Sequence, residues 1–81
     1  MTLDAVIRRA IRAAPCTMRA LARDADVSHV MLQGIVKGRE RATVRIALKV
    51  ALALDEWSVR CREEAKRLRS AVKNHSRKEE T

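Results

Sequence analysis

Residues 17–38 read TMRALARDADVSHVMLQGIVKG, and this stretch decides the fold. Thr17 has a side-chain oxygen suited to accept from the free amides at a helix start, and Met18, Leu21, Ala22 and Ala25 behind it share one face at helical spacing. Cys16 and Leu21 stand at the two positions of a hydrophobic staple, one just before the cap and one in the first turn. Asp26 tolerates left-handed backbone better than most residues with a Cβ, so a tight turn is expected there. Ser28 then repeats the cap, Val27 and Leu32 repeat the staple, and Leu32 with Ile35 supplies a face for the core. Gly38 is placed to end the segment. The stretch therefore spells two short capped helices joined by a tight turn. Gly34 lies inside the second at a cost of about 1 kcal/mol relative to Ala, which calls for a local reason.

Working outward, Leu3, Val6, Ile7, Ala10, Ile11 and Ala14 form an apolar helical stripe, with Thr2 as its cap and Pro15 as its stop. On the other side, the basic connector KGRER (residues 37–41) leads to Thr43, a cap for a fourth helix over 44–54 in which only Arg45 and Lys49 are polar. A helix apolar on nearly every side needs cover beyond the first three helices. A fifth helix, from about 55 to 74, is the expected cover. It carries a stripe of Cys61, Ala65, Leu68, Val72 and His75 and a Glu63–Arg67 pair. Trp57 is expected as a plug between the fourth and fifth helices and heads the same stripe. Two heptads are too few to assert a coiled coil, and the stripe suits either intramolecular packing or a dimer seam. Residues 76–81 hold no apolar side chain and are expected to fray. The organisation read here is one domain over 1–75, including a C-terminal packing or dimerisation helix, and a disordered tail over 76–81.

Eighty-one residues are too few to stabilise two cores, and with Trp57 the single aromatic residue the core must be Ala, Val, Leu, Ile and Met, which favours closely packed helices. Eighteen Lys and Arg against ten Asp and Glu give a formal charge of +8, a field that attracts polyanions. Thirteen of those cations are Arg, whose planar fork matches phosphate oxygens and guanine edges. Cys16, Cys61, His29 and His75 stand apart, without the spacing that tetrahedral zinc needs, so neither metal nor other cofactor is expected. No apolar run approaches the roughly 20 residues of a membrane span. Arg8, Arg9 and Arg12 interrupt the first helix, which denies it a signal-peptide core, and a cytoplasmic protein without a membrane partner is expected. No phosphate-loop, nucleophile-elbow or dinucleotide pattern occurs, so an enzyme is not expected.

The paired helices, preceded by an amphipathic helix and followed by the basic connector, resemble the lambda-repressor and Cro-like helix-turn-helix family. The resemblance runs over roughly the first 55 residues. Leu21 and Ala22 match where the second helix packs on the third, Val27 and Ser28 match the start of the recognition helix, Leu32 and Ile35 its buried face, and Gly38 the loop glycine. It departs at Met18, where the family commonly has a polar residue, at Asp26 in place of Gly, at Val36 in place of Glu, and at Gly34 in place of a polar reader. The implied fold is an all-α, five-helix domain with helices 2 and 3 as the helix-turn-helix.

The resemblance implies a transcriptional regulator, a repressor or autoregulator, whose third helix enters the major groove of double-stranded DNA, about 12 Å wide. Ser28, His29, Val30, Gln33 and Gly34 would then face the bases. Gln33 suits adenine, His29 a purine acceptor and Val30 a thymine methyl. Thr17, Arg19, Lys37, Arg39 and Arg41 flank that helix and are the residues expected at backbone phosphates. Arg8, Arg9 and Arg12 read first as a solubilising face. Because the family commonly binds two-fold operators, a homodimer is implied, with Trp57, Cys61, Ala65, Leu68 and Val72 as its seam. A second reading is a protein-interaction module of the antitoxin or antiactivator kind, with a second protein as partner, kept open by apolar Val30, Met31 and Val36.

Overall fold

In a computed structural model the chain is all-helical, with α1 over Leu3–Ala13, α2 over Met18–Ala25, α3 over His29–Lys37 and α4 over Val44–Glu80. The structure describes the backbone of residues 2–80 and the side chains of residues 2–75.

Side-chain caps set each helix start. Thr2 Oγ1 accepts from the Ala5 amide at 3.2 Å, Thr17 Oγ1 from Ala20 at 3.1 Å, Ser28 Oγ from Met31 at 3.4 Å and Thr43 Oγ1 from Ile46 at 3.2 Å. The ends follow equally local causes. Ala14, before Pro15, is extended at ψ 140 and closes α1. Asp26 closes α2 in left-handed backbone at φ 56, with the Asp26 amide donating to Arg23 O and the Val27 amide to Ala22 O. Gly38 closes α3 the same way at φ 81, with the Gly38 amide donating to Ile35 O and the Arg39 amide to Gly34 O. Both are Schellman motifs, in which two orphan carbonyls are satisfied by the residues that turn the chain. The Lys49 ammonium adds a third bond to the first turn, donating to Asp26 O at 3.4 Å.

Ile7 and Ile11 from α1, Leu21, Ala22 and Ala25 from α2, Leu32 and Ile35 from α3, and Val50 and Ala53 from α4 form one core. The three alanines in it allow the backbones to approach closely. Cys16 and Val27, the outer halves of the two staples, pack against its edge.

The structure departs from the five-helix expectation at α4. The segments expected as a fourth and a fifth helix are one helix of 37 residues. The only proline and both glycines lie before residue 39, so nothing in 44–80 breaks the hydrogen-bond ladder or turns the chain back. At about 1.5 Å per residue this helix is roughly 55 Å long, and it sets the 60 Å long axis of a molecule only 24 × 18 Å across. The expected cover is therefore missing: Val44, Leu48 and Leu52 on the outer face of α4 remain 66%, 65% and 62% exposed. A shallow apolar groove of about 140 Å³ opens between Leu3 and Val6 on α1 and Ala51 and Leu54 on α4. The helix also continues to Glu80, through most of the stretch expected to fray, while Thr81 lies outside the described residues.

Besides the Lys49–Asp26 bond, two tertiary contacts moor α4 and its entry. The Ala42 amide donates to Asp4 Oδ1 at 2.6 Å, tying the connector to the first turn of α1. Arg60 stands 3.7 Å from Asp24 on α2 and lies over the Trp57 ring, 5.0 Å from its centroid. From Cys61 to His75 every described residue except Ala65 is exposed, so the helix leaves the body there.

Candidate nucleic-acid interface

Leu32 and Ile35 are fully buried and hold α3 to the core by one side. The helical spacing then turns Val30, Gly34 and Lys37 to the opposite side, with Gln33 and His29 on its flank. Val30 is 74% exposed, Lys37 is exposed, and His29 and Gln33 are half-buried at the rim. Ser28, exposed at the start of the helix, uses its oxygen as the cap acceptor and keeps its hydroxyl proton to donate. Thr17 does the same for α2.

The connector after α3 is held at both ends. The amides of Arg39 and Glu40 both donate to Gly34 O, at 2.8 and 3.1 Å, and two residues later the Ala42 amide reaches Asp4. Arg39 and Arg41 thus project from fixed backbone, and both are exposed. Arg19, Lys37, Arg39 and Arg41 form no ion pair with any described residue; the cations that do are Arg23 and Arg60, on Asp24, and Arg67, on Glu64. These four cations therefore keep their charges uncommitted among the described residues, with exposed Glu40 the acid that sits between Arg39 and Arg41. Among the α1 cations, Arg9 and Arg12 are exposed, whereas Arg8 is half-buried with its Nε unpartnered.

Gly34 stands one turn after Val30 but is covered. It is buried beneath the connector, where an added Cβ would stand 2.6 Å from Glu40 Cγ and 3.3 Å from Glu40 Cβ. Its local reason is the close passage of the connector over α3.

The residues expected at a dimer seam share one face of α4, and it is the face that α4 turns to the core further back. Trp57 is half-buried, with its Nε1 shielded and unpartnered, and no fifth helix exists for it to plug against. Cys61 is exposed, Ala65 half-buried, and Leu68 and Val72 are 67% and 57% exposed. Arg67 pairs at 2.7 Å with Glu64, one turn below it, rather than with the expected Glu63. Burial pushes the Cys16 thiol above its ordinary value, and Asp24 and the Cys61 thiol add to the rise. No group of three or more His, Cys, Asp or Glu among the described residues is placed to hold a metal ion, and no helix there is long and apolar enough to cross a membrane.

Three structural participants escaped the sequence reading: Asp4, Glu40 and Arg60. Asp4 carried a partial signal as an acid in a first helical turn, but nothing local pairs it with residue 42. No family model, curated protein or solved structure matches this chain.

Proposed function

We propose that this chain is a sequence-specific double-stranded DNA-binding regulator of transcription, with α2 and α3 as a helix-turn-helix of the lambda-repressor and Cro-like kind, working as a homodimer on a palindromic operator. The observation that carries this reading is the exposed side of α3, bearing His29, Val30 and Gln33 and bordered by the unpaired cations Arg19, Lys37, Arg39 and Arg41. A slim helix with readable side chains at its middle and phosphate partners at its edges is what major-groove recognition requires. The pinned connector adds preorganisation, because Arg39 and Arg41 lose less freedom on meeting phosphate than they would from a floppy loop.

The second reading, a protein-interaction module, draws on the 74% exposure of Val30 and the uncovered Val44, Leu48 and Leu52. Selection of bound duplexes from a random pool separates the two. The regulator enriches a two-fold motif and loses affinity steeply between about 50 and 200 mM salt. No enriched motif, together with salt-insensitive capture of a protein partner, would reverse the preference.

A further inference from the structure

The C-terminal half of α4 has an apolar stripe with no partner among the described residues, and the charges flanking that stripe specify an orientation. Cys61, Ala65, Leu68 and Val72 alternate steps of four and three, which sets them as the d, a, d and a positions of a heptad. Arg62 and Arg69 then fall at e, and Glu64 and Ala71 at g. In a parallel two-stranded pair, g of one helix faces the e position five residues further along the other, so Glu64 meets Arg69 of the second copy, twice by symmetry. In an antiparallel pair over the same four layers, e faces e and g faces g. Arg62 then opposes Arg69 of the second copy twice, and Glu64 faces only Ala71.

We propose that two copies of this chain join through a parallel, in-register pairing of α4 over residues 61–72, selected by Glu64–Arg69 bonds between copies. This rests on the homodimer in the functional reading above and deepens it by naming the orientation and the residues that set it. The exposures agree: Leu68 and Val72 are 67% and 57% open, and the Glu64 side chain is 68% open, paired among the described residues with Arg67 of its own helix, so no contact between helices must break. The parallel choice also carries both globular bodies, and both α3 helices, to one end of the pair. The antiparallel choice would set them about 50 Å apart along the axis, beyond the roughly 34 Å repeat of successive major grooves.

The test uses the full chain without DNA and reads dimer dissociation by sedimentation equilibrium, with circular dichroism to verify helix content. Glu64→Arg and Arg69→Glu should each weaken the dimer by about tenfold, since each replaces two attractive contacts by two repulsive ones. The double variant should return to within about twofold of wild type. Independently, Val72→Cys in a Cys16→Ala, Cys61→Ala background should oxidise to a covalent dimer, because parallel register sets residue 72 against its own counterpart. A double variant as weak as the singles, or a Val72→Cys chain that stays uncross-linked while it dimerises, overturns the parallel seam. A wild type that is monomeric at all concentrations overturns it too. Duplex binding by the same proteins is scored separately, so DNA recognition without a parallel dimer, or a parallel dimer without DNA recognition, identifies which of the two ideas has failed.

Discussion

Glu40 lies across Gly34, so near that a Cβ on residue 34 would stand 2.6 Å from the glutamate Cγ. The glycine is the floor on which the connector turns, and its carbonyl accepts the Arg39 and Glu40 amides. A residue that lowers the helix propensity of α3 thereby fixes the loop that presents Arg39 and Arg41.

Gly34→Ala gains about 1 kcal/mol of helix propensity, yet it crowds the Glu40 side chain, which must leave its present rotamer while its Cβ gives way, an overlap worth about 1 to 3 kcal/mol. The expected outcome is net destabilisation. Adding Glu40→Ala removes Cγ and leaves only the 3.3 Å approach of Cβ, so the same glycine substitution should then become near neutral. Thermal melts of the four chains complete the cycle. A single variant more stable than wild type would show that the connector does not need the close passage.

The Asp4–Ala42 bond, at 2.6 Å and partly buried, is the tie between α1 and the start of α4. Asp4→Ala should cost about 1.5 to 3 kcal/mol in urea denaturation, the range for a hydrogen bond to a charged acceptor. Asp4→Asn, which keeps an acceptor oxygen, should cost less. Equal losses for the two variants would mean that charge near the α1 start matters more than the bond to residue 42.

Burial holds the Cys16 proton above the ordinary value of 9.0, so as pH rises the unfolded chain ionises first. This contribution to stability is complete below pH 9.0 and is lost as pH climbs through the folded-state value. Between about pH 8 and 10, wild type should therefore lose stability faster than Cys16→Ala. Thiol labelling at the same pH should modify exposed Cys61 well before half-buried Cys16. Parallel stability curves for the two chains would show that Cys16 does not contribute to the alkaline loss.

The four caps, the turn at Asp26, the stop at Gly38 and the core pair Leu32 and Ile35 were legible because each depends on residues within one or two turns. The end of the fourth helix was not. The sequence pattern divides 44–74 into two helices because the apolar run stops at Leu54 and because a helix apolar all round wants cover. Neither consideration breaks a helix, and no glycine or proline is present to do so. The cause of Gly34 was not legible for a different reason: the passage of Glu40 above it depends on the path of a loop. Asp4 with Ala42, and Arg60 with Asp24, join residues 38 and 36 positions apart, which no local pattern encodes.

Leu68 is 67% exposed and lies beyond the last mooring of α4 at Arg60, so Leu68→Glu should leave the fold and its melting curve nearly intact. If the stripe is a dimer seam, the same substitution should weaken self-association and operator binding by about tenfold or more, equivalent to at least 1.4 kcal/mol. Sedimentation and duplex titration of one protein sample give both quantities. Unchanged self-association would move the dimer contact to another surface, the exposed Val44, Leu48 and Leu52 face of α4 being next in line.

On the proposed function, Gln33 and Arg41 separate reading from anchoring. Gln33 sits at the rim of the exposed side of α3, where its amide is able to donate and accept at an adenine edge. Gln33→Ala should cost about 1 to 3 kcal/mol on the selected operator, relax preference at one base position per half-site, and leave random-duplex binding unchanged. Arg41 is exposed, unpaired, and fixed between the Glu40 and Ala42 backbone bonds. Arg41→Ala should weaken operator and random DNA alike and reduce the slope of log affinity against log salt by about one per bound copy. The two variants must therefore differ in kind as well as in size. Equal losses on operator and random duplex for Gln33→Ala would remove it from base recognition, and an unchanged salt slope for Arg41→Ala would remove that guanidinium from the phosphate contacts.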